Sequence, residues 1–245
     1  MLRKWPAAGV RQKEKSDVLQ TSDTPGRASR VTEGSCRYAG RQAGYNRLLA
    51  AAVRAAAGLL LRPFFGLRVT GAQNLPREGP LVLLPKHQRW EDIPLLGLAC
   101  PRPLFYVAKQ ELFSCPICGW FFRSIGGIPL NRSSPLKSRA HLRTLAQLLE
   151  QGKGVVIFPE GTYFENRMGP ARSGLIRFVR ARLPQVPFVP VGMRYSAVRH
   201  RCRVQITFGR PIRDLKAPTE AFVVRMMTEI AALSGMPAAG RNAKP

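Results

Sequence analysis

The stretch Leu81-Val82-Leu83-Leu84-Pro85-Lys86-His87-Gln88-Arg89-Trp90-Glu91-Asp92 decides the reading of this chain. Its apolar run, unbroken to Leu84, reads as a strand buried on both faces of a sheet. His87 follows the run, and Asp92 comes five positions later. In open α/β sheets ligands bind outside the carboxyl ends of the strands. Two later segments repeat the design, an apolar run with a charged residue at its exit. They are Gly126-Gly127-Ile128-Pro129-Leu130-Asn131-Arg132 and Val155-Val156-Ile157-Phe158-Pro159-Glu160-Gly161-Thr162. If these runs are neighbouring parallel strands, His87, Asp92, Arg132 and Glu160 converge on one edge.

On a continuous helix, five residues turn the chain by about 500° and leave the two side chains roughly 140° apart. A pairing of His87 with Asp92 therefore requires a bend, with His87 on the incoming loop and Asp92 in the first helical turn. Pro85 and Pro94 are compatible with that break. Asp92 would then accept a hydrogen bond from one imidazole N–H, fixing the tautomer and leaving the other nitrogen as a base. The plainer reading is a loop histidine followed by a capping aspartate, since Asp is a preferred N-cap. Arg132, after a glycine pair, has a fork suited to phosphate or carboxylate. Glu160 leaves a buried strand in a turn. An acid there pairs with a nearby basic residue, holds one in place, or binds substrate hydroxyls.

Outward from these exits, strand patterns fall at 67–70, 81–84, 105–108, 128–130, 155–158, 188–193 and 204–208. Helical patterns fall at 48–61, after Asp92, in the later part of 111–124, and at 135–152, 173–183 and 219–233. Strands alternating with helices predict an α/β fold, a mostly parallel central sheet with helices on both faces. Residues 1–45 are polar and aperiodic, as in a disordered basic tail, and 236–245 read as a flexible tail. Residues 46–66 form a separate element, and 67–235 form the folded domain.

The segment 48–61 is rich in Ala and Leu and broken by Arg54, too short for a confident span of about 20 residues. An interfacial helix fits it, with Arg47, Arg54 and Arg62 near headgroups and Leu, Phe64 and Phe65 among acyl chains. The alternative is a helix that covers the core. No apolar run of signal-peptide type follows the basic start, because Arg11 and Lys13 intervene.

The charge is strongly basic: 39 Lys and Arg against 14 Asp and Glu, a net +25. Only +5 lies in the first 45 residues, so the folded part itself attracts anions such as nucleic acid, anionic lipid or phosphorylated substrates. A nucleic-acid-binding domain predicts aromatic-interleaved basic patches, and none is found. Five cysteines, an odd number, argue for reduced thiols in a cytoplasmic setting. Cys115-Pro116-Ile117-Cys118 has redox or half-zinc spacing but lies in an apolar helical pattern without a second pair. It reads as buried structural thiols. His141 reads as a surface residue, His200 as part of a basic loop, and Trp90 as packing or a wall of an acyl pocket.

Four ordered segments carry a resemblance: Lys86-His87-x4-Asp92, Gly127 to Arg132, Phe158 to Thr162, and Val186-Pro187-Phe188-Val189-Pro190-Val191. Together, over roughly residues 65–215, they resemble the motifs of the glycerolipid acyltransferases, the 1-acylglycerol-3-phosphate O-acyltransferases. The resemblance implies acyl transfer from acyl-CoA or acyl carrier protein, as co-substrate, to the free hydroxyl of a lysophospholipid. It implies His87 as general base and Asp92 as its orienting partner, with no metal and no other cofactor. Arg132 would bind the acceptor's phosphate. Glu160, Gly161 and Thr162 would shape the acceptor site, and Pro190 would line the acyl pocket or hold the fold.

Lys86 and Arg89 stand where the family commonly has Asn and Ser, and Leu130 and Asn131 where an aromatic and an acid often precede Arg132. The two cations would grip a headgroup or the CoA phosphates. Arg172 would contact phosphate or CoA, unless it is a solvated surface residue. On this reading the partners are a lysophospholipid and an anionic membrane surface, at the cytoplasmic face, and not nucleic acid. Glycerol-3-phosphate or another lysolipid is the alternative acceptor.

Overall fold

The computed structural model describes residues 44–131, 135–198, 200–213 and 216–237, with side chains in the helix after 134 described from Arg139 onward. Arg132, all but two residues of the expected N-terminal tail, and 238–245 lie outside the described residues.

Seven strands form one sheet: β1 Phe65–Thr70, β2 Leu81–Pro85, β3 Leu104–Lys109, β4 Gly127–Leu130, β5 Gly154–Val156, β6 Phe188–Val198 and β7 Arg201–Phe208. Their order is β1-β7-β6-β2-β5-β3-β4. Every neighbouring pair is parallel except the β6–β7 hairpin. The helices are α1 Arg47–Leu61, α2 Asp92–Ala99, α3 Pro116–Ser124, α4 Pro135–Glu150, α5 Gly174–Arg182 and α6 Thr219–Ser234. The mostly parallel α/β sheet expected from the alternation is what forms.

β2 lies at the centre, bonded to β5 on one side and β6 on the other, and all five of its residues are buried. The two-residue period of a strand sends its side chains to opposite faces. Val82 and Leu84 join a core with Leu145 and Leu149 of α4, Ile176 and Val179 of α5, and Phe222, Met226 and Ile230 of α6. Leu81 and Leu83 join a second core with Leu95 and Leu96 of α2 and Val204, Ile206 and Phe208 of β7. A fully buried aliphatic side chain contributes about 1.5–3 kcal/mol, so a polar residue inside β2 would be costly on either face. Pro190 serves the fold: it is buried in β6 opposite Leu84, and its carbonyl accepts the Gly209 amide.

Two element expectations change. β5 is adjacent to β2, but β3 separates β5 from β4, so the exit leading to Arg132 stands three strands from His87. At about 4.8 Å per strand that is roughly 14 Å along the same sheet edge. The helix expected in the later part of 111–124 is α3, which Pro116 opens after a 3-10 turn at Gln110–Phe113. β6 runs five residues past its expected end because it pairs with β7 up to Val198↔Arg201. Long-range pairing set that length, beyond the apolar pattern.

Helix α1 has no buried residue. Asn46 caps it by accepting the Leu49 amide, and its own amide donates to the Ser124 carbonyl at the end of α3. Gly58 lies against Leu98 of α2, and Arg54 donates to the Leu98 carbonyl. Arg54 therefore turns toward α2, against the expectation that it serves a headgroup. Leu48, Leu59, Leu60 and Phe64 are exposed. No described helix is long and apolar enough to cross a membrane.

Candidate active site

The central strand delivers the site. After Pro85 the Lys86 amide still donates to Val191, and the chain then leaves the sheet. Residues 86–89 wrap around the Asp92 carboxylate, the bend that the five-residue spacing required. His87 Nδ1 lies 3.0 Å from Asp92 Oδ2. The same oxygen accepts the amides of Gln88 and Arg89, and Oδ1 accepts the Tyr195 hydroxyl. Asp92 has no solvent exposure, so these donors replace its hydration. It is not the N-cap: Glu91 holds that position, and Asp92 is the first helical residue. Its side chain turns back onto the loop in place of the helix amides.

With Nδ1–H given to the carboxylate, Nε2 keeps its lone pair. The ring is held on two sides. Phe158 stacks on it at 3.7 Å between centroids, and Tyr163 meets it edge-on at 4.4 Å. The His87 side chain is 10% exposed.

Lys86 and Glu160 form the second layer. Both side chains are fully buried, 2.8 Å apart. The Lys86 ammonium also donates to the carbonyls of His87 and Phe164. Glu160 accepts the amides of His87 and Gly169. Burial pushes the Lys86 ammonium below its usual range, and the bonded, charged Glu160 pulls it back up. This pair ties the β2 exit to the loop after β5. Neither group can grip a headgroup or a CoA phosphate, which corrects the expectation for Lys86. For Glu160 it selects one of its open readings, that of holding a basic residue in place. Gly161 is buried at φ 70°, the left-handed region that favours glycine, and its amide closes the turn on Phe158.

The remaining expected contacts lie further out. Thr162 and Arg172 are exposed. Arg89 pairs with Glu165 and lies over the Tyr195 ring. Arg89, Asn166, Tyr195, His200 and Arg201 line an open depression of about 480 Å³ beside the dyad. Trp90 is 61% exposed, so it neither packs in the core nor walls a closed pocket. His141 is half-buried beside α3, with Nδ1 enclosed, and burial lowers its pKa. Cys115 and Cys118 are exposed, against the expectation of buried thiols. Placing Pro116 at the start of α3 lifts them out of the apolar face.

The sequence reading missed Tyr195, Gln88 and Lys109. Tyr195 reaches Asp92 from the part of β6 that overruns β2, and burial with the adjacent Asp92 charge raises its phenol well above the ordinary range. Gln88 donates to the Met193 carbonyl and accepts the Asn166 amide, bracing the loop from both sides. Lys109 ends β3, exposed at the same sheet edge and two strands from His87. Only the Lys109 signal was available in sequence, as a cation at a strand exit.

Known proteins place this geometry in a family. The family described as Acyltransferase matches residues 66–194. The chain is 34% identical over 194 residues to a 1-acyl-sn-glycerol-3-phosphate acyltransferase of Pseudomonas aeruginosa, covering 70% of this chain and 73% of that protein. It is 32% identical over 172 residues to the chloroplastic 1-acyl-sn-glycerol-3-phosphate acyltransferase LPAT1 of Arabidopsis thaliana. That match covers 66% of this chain but only 48% of the relative's length. Its fold is similar to the crystal structure of the 1-acyl-sn-glycerophosphate (LPA) acyltransferase PlsC from Thermotoga maritima. The TM-score is 0.59 at 21% identity, over 76% of this chain and 77% of that one. The matched segment covers half the chain and includes both His87 and Asp92, at the exit of the central parallel strand: the chain belongs to the acyltransferase family.

Proposed function

We propose that this chain transfers a fatty acyl group from acyl-CoA or acyl carrier protein to the free hydroxyl of 1-acyl-sn-glycerol-3-phosphate, giving phosphatidic acid. The observation that carries the reading is the His87–Asp92 pair, with Nδ1 committed to a buried carboxylate and Nε2 left as a base. A hydroxyl is a weak nucleophile. Nε2 removes its proton as the oxygen attacks the thioester carbonyl, and the buried Asp92 supports the imidazolium that forms. The carbonyl re-forms as the thiolate leaves, and the imidazolium returns the proton to it. No resident metal or other cofactor is invoked.

The acceptor's phosphate is assigned to the basic sheet edge. Arg132 keeps its place in the proposal as the phosphate partner, with Lys109 on the intervening strand as a second cation. Arg89, in the depression beside Tyr195, and exposed Arg172 are assigned to headgroup or donor phosphates. Gly161 and Thr162 shape the acceptor side, and Glu160 holds the loop through Lys86. The exposed apolar side of α1 docks on an anionic membrane surface at the cytoplasmic face, and nucleic acid is not a partner.

The test is an acyl-CoA assay over a panel of lysolipid acceptors and glycerol-3-phosphate. His87→Ala is expected to lower kcat about 10²–10⁴-fold, the range for general base catalysis. Equal turnover by variant and parent would remove the proposed base, and turnover only with an unphosphorylated acceptor would remove the acceptor assignment.

A further inference from the structure

Cys115 and Cys118 stand apart from the acyl-transfer site, and nothing in the reaction above uses them. Cys115 is the N-cap of the nine-residue α3, and its sulfur accepts the Cys118 amide at 3.4 Å. Pro116 at the next position holds the first turn in helical geometry. Both cysteines are exposed. The Cys115 sulfur is thus held against the backbone of Cys118, and both thiols stand on the first, open turn of α3. The other described cysteines differ: Cys100 is buried, and burial pushes its thiol up and away from reactivity. Among the described residues no group of three or more His, Cys, Asp or Glu side chains could hold a metal.

The geometry points to a reversible dithiol–disulfide site at Cys115 and Cys118, taking a low-molecular-weight disulfide of the glutathione class as its co-reactant. Cys115 is the attacking sulfur, because the Cys118 amide donates to it at the N-terminus of α3 and favours the thiolate. The hydrogen bonds lower its pKa, while that of its partner is raised. The Cys115 thiolate attacks one sulfur of the small disulfide. The S–S bond breaks, one small thiolate leaves, and a mixed disulfide remains on Cys115. Cys118 then loses its proton and attacks the Cys115 sulfur, expelling the second small thiolate. Two electrons pass from the protein to the small disulfide, and the two protein protons end on the two small thiols.

The experiment uses the full chain with Cys36→Ser, so that the cysteine outside the described residues takes no part. Reduced protein is exposed to a series of glutathione disulfide to glutathione ratios, quenched with an alkylating agent in denaturant so that buried thiols also react, and read by intact mass and peptide mapping. The expected result is a Cys115–Cys118 disulfide, lighter by two hydrogens, that is fully reversed by excess glutathione, with Cys100 and Cys202 left free to be alkylated. Cys118→Ser should accumulate a glutathione adduct on Cys115. Cys115→Ser should react roughly threefold or more slowly, since lower thiol pKa raises thiolate population more than it lowers nucleophilicity. Alkylation of both cysteines at every ratio would overturn the proposal. So would an adduct forming as fast on Cys118 alone as on Cys115 alone.

Discussion

At the scale of single residues, the site is a set of buried polar groups that satisfy one another. Lys86 and Glu160 have no exposed side-chain surface, so each is the main compensation for the other's charge. Removing one partner of such a pair costs about 3–5 kcal/mol, more than the pair itself contributes. Lys86→Ala and Glu160→Ala should each lower the unfolding free energy by that amount in urea melts. A loss under about 1 kcal/mol would mean that the loop after β5 is not tied through this pair. Tyr195 gives a pH-dependent counterpart. Burial, then the Asp92 charge, then the bond to Asp92 raise its folded pKa above that of the unfolded chain. Above about pH 10 the unfolded state therefore releases a proton that the folded state keeps, and stability falls as pH rises. Tyr195→Phe lacks this component. Its stability should decline less steeply there, by up to about 1.4 kcal/mol per pH unit. Parallel curves for the two proteins would contradict the buried Tyr195–Asp92 bond.

At the scale of elements, α1 and the β6–β7 hairpin matter most. α1 rests on α2 through Gly58 and Arg54, and Leu59 and Leu60, with Phe64 just beyond the helix, stand in solvent. Such a surface is costly in water and useful on a bilayer. Replacing these three residues by Ser should weaken co-sedimentation with anionic vesicles roughly tenfold or more, since each apolar side chain contributes up to about 1.5–3 kcal/mol when buried. Turnover of a detergent-solubilised substrate should stay near the parent's. Undiminished vesicle binding would move the dock elsewhere. The β6–β7 hairpin rises past the end of β2 and brings Tyr195 back to Asp92. A second long-range contact, Arg201 to the carbonyls of Arg62 and Pro63, ties that hairpin to the end of α1.

At the scale of the whole molecule, strand order decides which cations can share a substrate. β2, β5, β3 and β4 are parallel, so all four exits open on one edge. His87 and Glu160 leave adjacent strands, Lys109 leaves the third and Arg132 follows the fourth. A charge-assisted hydrogen bond to a phosphate contributes about 1.5–3 kcal/mol, so losing the phosphate contact should raise KM for a phosphorylated acceptor about ten- to a hundredfold. Arg132→Ala is expected to show that rise with kcat nearly unchanged. If Lys109→Ala shows it and Arg132→Ala does not, the headgroup is held one strand nearer the base than proposed.

What the sequence alone determined is what depends on local pattern. The unbroken runs marked β2 and β5 as buried strands, the alternation with helices marked the parallel sheet, and the spacing from His87 to Asp92 demanded a bend that the loop supplies. Motif order carried the family, because four weak patterns in sequence constrain one another. Tertiary structure alone decided the rest. Strand order inserted β3 between β5 and β4, and no periodicity records which strand lies beside which. The partners of Lys86 and Asp92, Glu160 and Tyr195, lie 74 and 103 positions away, beyond the reach of any local signal. Exposure of Cys115 and Cys118 likewise followed from where α3 begins and which side it turns to the sheet. Burial and pairing are properties of the assembled surface, and only packing assigns them.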